Sequence, residues 1–141
     1  MVSITFNEKT LLLMSLFENV AKVPAKDCVE TKDKVVFIVN KGLLGRAIGK
    51  DGRNIKLMKK RLNKDVHLVE HSDDPQEFVK NVFCYYDVKK VELEKRGNIT
   101  HATVTVDPKN KAKAIGREGR NLKIARDIIA RHHDVQSVCV A

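Results

Sequence analysis

Apolar residues near the start of the chain recur every three or four positions. Five of them share one face of a helix with this period: Leu12, Leu13, Leu16, Phe17 and Val20. Pro24 closes that helix, and the pattern then changes to short apolar runs and turn residues. The elements predicted next are strands at about 28–31 and 34–39, helices from Lys41 and from Arg53 to about Leu62, and a strand at 66–70. This order is αββααβ.

The second half of the chain predicts the same order again. Its elements are a helix that opens at Asp74–Pro75, strands at about 86–95 and 99–106, helices from Pro108 and from Arg120, and a strand from Val135. Asp107 as the cap and Pro108 at the first helical position are a strong helix start. The predicted core includes Ile55, Met58, Leu62, Phe37, Phe78 and Phe83. The fold class is therefore α+β, with a three-stranded sheet covered by helices in each half.

The two halves are copies of one unit. Residues 47–56 align with 114–123 at an offset of 67, with seven identities and three conservative exchanges. At the same offset, the apolar run 34–40 faces 101–107, and each run ends in a helix-capping Asn or Asp. A match of this length, placed at the same point of two similar element patterns, indicates a tandem duplication.

The match continues downstream, where 65–69 faces 134–138 at an offset of 69. This predicts two extra residues in the helix of the second copy. We therefore predict two domains, 1–72 and 73–141. Only Ser72 to Asp74 is left as a linker, which is too short to let the domains tumble independently, so we expect one nearly rigid pair.

The excess positive charge is confined to two windows, each of which contains one copy of the aligned motif. The 141 residues include 27 Lys plus Arg and 18 Asp plus Glu, a net charge of +9. Nine basic residues and one acid lie between Lys41 and Lys64, and eight basic residues and two acids lie between Lys109 and Arg131. The rest of the chain has a net charge of −5. Two basic windows at matching places indicate an anionic partner rather than solvated helix faces.

A membrane location does not fit the sequence. The longest stretch without a charged residue, Gly97 to Val106, has ten residues, whereas a membrane-spanning helix needs roughly 20 apolar ones. The apolar run 11–17 has neither a basic leader nor a cleavage site, unlike a signal peptide. The basic windows also lack large exposed apolar residues, which disfavours a polybasic membrane-surface protein. We expect a cytoplasmic protein.

Metal and disulfide sites are not predicted either. Cys28, Cys84 and Cys139 are too widely spaced for a disulfide framework or a zinc site, and we interpret them as buried apolar residues. His132 and His133 are neighbours, and neighbours on a helix point about 100° apart, so the two cannot clamp one metal ion. No cofactor is expected.

A Gly-x-x-Gly turn lies in each basic window, between two predicted helices. The glycines of Gly49–Gly52 and Gly116–Gly119 carry no side chain, so a ligand can approach the backbone closely. The amides that open the next helix favour anions, and the neighbouring basic side chains complete a cradle for a sugar-phosphate chain. We interpret Asp51 and Glu118 as first-turn acids that complement the helix dipole.

Two other phosphate-binding motifs do not fit. A P-loop requires G-x-x-x-x-G-K-[ST], and the segment 45–51 is one residue short and has Asp51 where a hydroxyl is required. A dinucleotide fingerprint requires glycine where Ala47 and Ala114 stand. Because no nucleophile with a base, carboxylate pair or metal cluster is apparent either, we do not expect an enzyme.

The motif I-G-x-x-G-R-N-[IL], at 48–55 and 115–122, resembles the signature of KH domains, whose GxxG loop clamps about four nucleotides of single-stranded nucleic acid. Two strands before each loop and one after it resemble the type II, bacterial-style KH topology. A tandem of two such units with a short linker is similar to the KH pair of the NusA family of transcription termination and antitermination factors. Because Met1 lies only a few residues before the first predicted helix, we expect neither the polymerase-binding N-terminal domain nor the S1 domain of the bacterial form, and the chain is more similar to the short archaeal NusA-like proteins.

The resemblance implies which residues bind RNA. The loops would hold the phosphodiester backbone, basic residues would line the groove rim, and apolar residues beside the loops would either floor the groove or simply pack in the core. The implied site residues are Arg46, Ile48, Gly49, Lys50, Asp51, Gly52, Arg53, Ile55 and Lys56 in the first copy, and Lys113, Ile115, Gly116, Arg117, Glu118, Gly119, Arg120, Leu122 and Lys123 in the second. Because aromatic residues are only 5% of the chain, base stacking on rings is not expected to dominate.

The sequence thus predicts a monomeric, non-enzymatic protein that binds single-stranded RNA with two GxxG loops on one continuous surface. The resemblance implies a role in transcription elongation or termination, with RNA polymerase or the transcription complex as a candidate protein partner. A ribosome-associated or ribosome-assembly KH protein is the alternative, and it differs by its partner rather than by its site.

Overall fold

The computed structural model describes residues 7–141. The chain forms two compact units, one ending at Ser72 and the other beginning at Asp73. Over the described residues each unit has the order αββααβ and a three-stranded sheet, which confirms the predicted α+β class and element order. Within this range, no helix is both long enough and apolar enough to cross a membrane.

The first unit begins with a long helix and ends with the third strand of its sheet. Its elements are α1 (Glu8–Ala21), β1 (Asp27–Glu30), β2 (Lys34–Val39), α2 (Leu44–Ile48), a 3-10 turn (Lys50–Gly52), α3 (Arg53–Leu62) and β3 (Asp65–Glu70). In the sheet, β2 lies between β1 and β3. It pairs antiparallel with β1, to which a short turn connects it, and parallel with β3, because α2 and α3 form the crossover that a parallel pair requires.

Helix α1 covers one face of this sheet. It starts at the Asn7 cap, whose side-chain oxygen accepts a hydrogen bond from the Thr10 amide at 2.8 Å. Its buried stripe follows Leu13, Phe17 and Ala21 at a spacing of four residues. The prediction that Leu12 belongs to the buried face is wrong: its side chain is 66% exposed, because it lies about 100° around the helix from Leu13.

The core of the first unit lies between its helices and the sheet. The ring of Phe17 stacks on that of Phe37 at 4.6 Å between centroids, and Phe37 is fully buried, as predicted. Met58 on α3 is also fully buried, whereas Ile55 and Leu62 are partly buried and pack against the same cluster. Helix α3 therefore contacts the core through a narrow stripe and leaves most of its basic side chains in solvent.

Helix α2 begins later than the sequence predicts. The prediction of a helix from Lys41 with Asn40 as its cap is wrong, because residues 41–43 form a turn with Gly42 at φ 89°. The turn is closed by the Leu43 amide, which donates to the Asn40 carbonyl at 3.1 Å. The residue before the helix is Leu43, and no side chain caps it.

The second unit repeats the order with longer first and second strands, a shorter third strand and a longer last helix. Its elements are α4 (Pro75–Val82), a 3-10 turn (Cys84–Tyr86), β4 (Val88–Arg96), β5 (Ile99–Val106), a 3-10 turn (Pro108–Asn110), α5 (Lys111–Ile115), a 3-10 turn (Arg117–Gly119), α6 (Arg120–His132) and β6 (Ser137–Val140). Here β5 is central, antiparallel to β4 and parallel to β6. Asp74 caps α4 as predicted and accepts from the Gln76 amide at 3.2 Å. Asp107 accepts from the Lys109 amide at 3.0 Å, but it caps the 3-10 turn, and the prediction of an α-helix from Pro108 is wrong because α5 begins at Lys111.

The last strand shows that the predicted alignment of the two copies is wrong downstream of the loops. Strand β6 begins at Ser137, not at Val135. Lys34 pairs with Asp65 in the first sheet, and His101 pairs with Ser137 in the second. Because Lys34 and His101 are equivalent at the offset of 67, the strands correspond at an offset of 72. The second copy therefore has five extra residues rather than two, three in α6 and two in the connection to β6.

The segment before β4 also differs from the prediction. The Tyr86 amide donates to the Phe83 carbonyl at 3.0 Å, and Asp87 has φ 55°, so the chain turns there and the strand starts at Val88 rather than at residue 86. Phe83 is fully buried, as predicted, whereas Cys84 beside it is exposed. The 3-10 turn directs Cys84 away from the core, so its prediction as a buried residue is wrong.

The remaining cysteines and the histidine pair belong to the packing of their units. Cys28 is buried and Cys139 is partly buried. Phe78 is fully buried, as predicted, and its ring centroid lies 5.3 Å from that of His132 and 5.2 Å from that of His133. The two histidines at the end of α6 therefore pack on α4.

Candidate nucleic-acid interface

The first glycine motif forms a tight connection between α2 and α3. Gly49 ends α2 with φ 80° and ψ 169°, a conformation that only glycine adopts readily. Asp51 (φ 57°, ψ 27°) and Gly52 (φ 72°, ψ 20°) are both left-handed. The Gly52 amide donates to the Gly49 carbonyl at 3.1 Å. The chain thus reverses within one 3-10 turn and presents its backbone at the surface.

The second motif has the same backbone. Gly116 (φ 78°, ψ 170°), Glu118 (φ 57°, ψ 25°) and Gly119 (φ 71°, ψ 18°) match their equivalents in the first loop to within 2°. The Gly119 amide again donates to the Gly116 carbonyl at 3.1 Å. Two loops of different sequence therefore adopt one geometry.

The glycines of each loop are required for different reasons. A Cβ atom on Gly49 would lie 2.8 Å from Asn54 Nδ2, and one on Gly116 would lie 2.9 Å from the backbone nitrogen of Asn121. A Cβ atom on Gly119 would meet nothing within 4 Å, so this position needs glycine only for its left-handed backbone. The first glycine is required both for packing and for its backbone conformation, whereas the last is required only for its left-handed backbone.

The prediction that Asp51 and Glu118 are first-turn acids of the following helices is wrong. Each is the middle residue of its 3-10 turn and has positive φ, two positions before the helix begins. The Glu118 carboxylate instead lies 3.5 Å from the Arg120 guanidinium, in an exposed ion pair.

The predicted basic residues all lie exposed around the two loops. They are Arg46, Lys50, Arg53 and Lys56 in the first unit, and Lys113, Arg117, Arg120 and Lys123 in the second. These side chains lie within four residues of a loop glycine in the sequence. They are carried by the ends of α2 and α5, by the 3-10 turns and by the first turns of α3 and α6. Each loop is thus a surface turn that is surrounded by exposed basic side chains.

The four predicted apolar residues are neither fully buried nor free of the core. Ile48, Ile55, Ile115 and Leu122 are all partly buried. Ile48 and Ile55 pack against the core cluster of the first unit. Core packing is therefore shown for Ile48 and Ile55, and all four side chains keep a solvent-accessible part, whereas their role as a groove floor stays a prediction.

Models of two protein families match this chain. The model described as a NusA-like second KH domain matches residues 75–139, and the model described as a KH domain matches residues 12–94. A protein of Thermoplasma acidophilum named probable transcription termination protein NusA is 31% identical over 140 residues, which cover 99% of this chain and 97% of the relative. The chain belongs to the NusA-like family of KH-domain proteins.

Other comparisons agree with this assignment. A protein of Methanocaldococcus jannaschii, also named probable transcription termination protein NusA, is 32% identical over 140 residues, covering 99% of this chain and 76% of the relative. The solved structure titled "Crystal structure of APE1850" has a TM-score of 0.75 and 30% sequence identity, and the match covers 96% of this chain and all of that one. The similarity to this KH family extends over nearly the whole chain.

Not every cation of the basic windows faces a KH loop. Lys64 Nζ lies 2.8 Å from a Glu30 carboxylate oxygen and donates to the Thr31 carbonyl at 2.9 Å. Hydrogen bonds from Lys64 and then Lys9 hold the pKa of Glu30 below its usual range. Lys59 lies 3.3 Å from Asp65. These two lysines connect α3 and the following turn to the sheet through ion pairs. Fewer basic side chains of the first window are therefore available to an anionic ligand than its net charge indicates.

The structure adds two residues that the predicted site lacks. Asn54 Nδ2 donates to the Arg46 carbonyl at 3.2 Å, and Asn121 Nδ2 donates to the Lys113 carbonyl at 2.8 Å. Each bond joins the helix after the loop to the helix before it. The sequence signal for both asparagines is that they are identical in the two copies of the repeated motif.

Proposed function

We propose that this chain binds single-stranded RNA as a monomer without catalytic activity and takes part in transcription elongation or termination. The observation that carries the proposal is the repetition of one loop geometry, with backbone angles equal to within 2°, inside two separate groups of exposed basic residues. The names of the relatives in Thermoplasma acidophilum and Methanocaldococcus jannaschii support the process.

In this proposal, each loop holds the sugar-phosphate backbone. The glycines allow a phosphate to approach the main chain, and the first amides of a 3-10 turn have no carbonyl partner within the turn, so they can donate to it. Lys50 and Arg53 in the first loop, and Arg117 and Arg120 in the second, supply positive charge beside these amides. The accessible parts of Ile48, Ile55, Ile115 and Leu122 lie beneath the bases.

The salt dependence of RNA binding tests whether the loops contact the phosphate backbone. If roughly four to six cations neutralise phosphates, the logarithm of the association constant should fall with the logarithm of salt concentration with a slope of about −3 to −4, at about −0.7 per contact. An oligonucleotide of low sequence complexity should still bind, because backbone contacts carry no base information. A slope near zero contradicts the proposal.

We further propose that both loops hold one continuous strand and that the domain boundary lies at 72/73. Strand β3 ends at Glu70 and α4 begins at Pro75, so the connection is very short. An RNA of roughly eight or more nucleotides, at about four per loop, should bind far more tightly than a tetramer. Inserting about ten flexible residues after Ser72 should weaken binding of the long RNA and leave tetramer binding unchanged. Equal affinity for both lengths contradicts this part of the proposal.

The protein partner distinguishes the transcription role from its alternative. Purification of the native protein under mild salt, followed by identification of bound proteins and RNA, should recover RNA polymerase subunits and nascent transcripts. Recovery of ribosomal proteins and ribosomal RNA instead would favour a KH protein of ribosome assembly, with the same RNA-binding loops.

A further inference from the structure

In each unit, an asparagine side chain forms a hydrogen bond that links the two helices on either side of the loop. Asn54 is the second residue of α3, and its Nδ2 bonds the carbonyl of Arg46, eight residues earlier in α2, at 3.2 Å. Asn121 makes the same bond to Lys113 at 2.8 Å. Both asparagines are partly buried. The two helices that flank each loop are thus linked by a side-chain hydrogen bond as well as by the turn.

The bond satisfies a group that the helix itself leaves without a partner. Arg46 and Lys113 lie in the last turns of α2 and α5, where carbonyl groups have no intrahelical donor. An amide donates to such a carbonyl without adding charge. Aspartate at this position would direct an acceptor at another acceptor, and lysine or arginine would be too long for the space.

The same side chain also defines the space over the first glycine. A Cβ atom on Gly49 would lie 2.8 Å from Asn54 Nδ2 and 2.9 Å from its Cγ. In the second loop, Gly116 has the corresponding contacts with Asn121 at 3.0 Å. Each asparagine therefore packs against the glycine that starts the turn while it bonds the helix before that glycine.

We propose that Asn54 and Asn121 are positioning residues for RNA binding: they hold the loop amides in the orientation that receives a phosphate, without touching the RNA themselves. The inference rests on the proposed function of the loops. It goes beyond that function because it assigns the loop geometry to a side chain outside the Gly-x-x-Gly turn. The repetition of bond and contact in both units is the observation that supports it.

The test compares asparagine substitutions in the full chain with a matched control. Asn54→Ala, Asn121→Ala and the double variant lose the bond, and Asn54→Leu and Asn121→Leu lose it at similar side-chain size. Asn19→Ala on the exposed side of α1 is the control. Binding of a 12-nucleotide single-stranded RNA, about the length for both loops with a margin, is measured for each variant. Hydrogen exchange is measured for the Gly52 and Gly119 amides and for amides of β2 and β5.

Each single variant should bind RNA on the order of threefold to tenfold more weakly, the range expected for the removal of one hydrogen bond. The Gly52 or Gly119 amide should exchange faster in the loop that was changed, whereas exchange in β2 and β5 should not change. The Asn121 variants should show the larger effect because their bond is shorter. The Asn19→Ala control should match the unchanged protein in both measurements.

Charge reversal in the loops separates failure of this inference from failure of the proposed function. If Lys50→Asp and Arg117→Asp weaken binding and the asparagine variants do not, the inference is wrong and the RNA-binding function stands. If neither group of variants changes affinity, the proposed function itself is wrong. Faster exchange throughout a unit would assign the asparagine to general stability and overturn the positioning role. Should a double variant fail to fold, the single variants and the milder Asn54→Ser and Asn121→Ser decide the question.

Discussion

The two units share the backbone of their loops but not the elements around them. Strand β4 has nine residues where β1 has four, and α6 has 13 where α3 has ten. Nevertheless the loop angles agree to within 2°. The loop is therefore determined by its own glycines and by an asparagine a few residues away, so that sheet length and helix length can vary without disturbing it.

The approach to the loop differs in charge. In the first unit, α2 begins at Leu44, which packs against the core, and the Gly42 amide donates to a Glu70 carboxylate oxygen at 3.0 Å. At the equivalent positions, offset by 67, the second unit has Lys111 and Lys109, both exposed. The approach to the second loop thus has two lysines, whereas the approach to the first has one, Lys41, together with an apolar residue and a neighbouring acid. We expect the second unit to bind RNA with the stronger dependence on salt.

The largest expected effect comes from the first glycine of each loop. Gly116→Ala places a Cβ atom against a backbone nitrogen in a glycine-only conformation, and should lower the free energy of unfolding by about 2–4 kcal/mol. Gly49→Ala should cost less, because the atoms nearest to its Cβ belong to the Asn54 side chain. Gly119→Ala should cost about 1–2 kcal/mol from backbone strain alone. Denaturant unfolding of the three variants checks this order, and an equal cost at Gly116 and Gly119 would contradict the packing role.

A smaller effect is expected from the lysines that distinguish the second unit. Replacing both Lys109 and Lys111 with Ala should make the salt slope of RNA binding less steep by about 0.7 for each phosphate that the lysines no longer neutralise. Lys80→Ala, an exposed lysine on α4, is the control and should leave the slope unchanged. An unchanged slope in the double variant would show that these lysines neutralise no phosphate, and that the two units do not differ in their electrostatic contribution to RNA binding.

The acids inside the loops should have a still smaller effect. Glu118→Gln removes a negative charge from the loop and releases Arg120 from its ion pair, so we expect RNA binding to strengthen by about twofold to threefold at low salt. Asp51→Asn should strengthen binding less, because within the described residues no ion pair joins Asp51 to Arg53. Binding titrations at low and high salt check both variants. Weaker binding of either variant would mean that the acid itself contacts the RNA.

The smallest effect concerns acid stability of the first unit. Burial, together with the charge of Lys34, lowers the pKa of His67, although Asp65, 3.0 Å away, opposes the shift. Because the unfolded chain takes up the proton more readily, the free energy of unfolding should be highest above the ordinary pKa of histidine and should fall on acidification. His67→Gln should flatten this fall between about pH 7.5 and about pH 5.5. Hydrogen exchange of β3 amides at the two pH values measures it, and an unchanged pH dependence in the variant would exclude His67 as its source.

Much of the fold was predictable because its signals are local. Caps at Asp74 and Asp107, the helical period of α1 and the repeated motif are each contained within a few residues, and the element order follows from them. The offset of β6 was not predictable, because short apolar segments align equally well at neighbouring offsets. Only the pairing of Ser137 with His101 in the sheet distinguishes them.

Some features of the candidate site were likewise predictable from local sequence, and others were not. The repeat located both loops and their basic residues, since these lie within eleven consecutive positions of each copy. The positive φ of Asp51 and Glu118 arises from the turn as a whole, whereas the local sequence pattern predicts both residues in the first turn of the following helix. The bonds of Asn54 and Asn121 depend on carbonyls eight residues away, which a motif does not reveal. Assignment of the individual site residues to RNA binding remains a prediction.

The most direct measurement of the central claim is RNA affinity after charge reversal in each loop. Lys50→Asp, Arg117→Asp and the double variant keep all four glycines and change only exposed side chains, so circular dichroism should show an unchanged fold. With a single-stranded RNA long enough for both loops, each single variant should bind at least about tenfold more weakly, and the double variant should bind more weakly than either single variant. If the double variant binds as tightly as the unchanged protein, the two loops do not hold the RNA backbone.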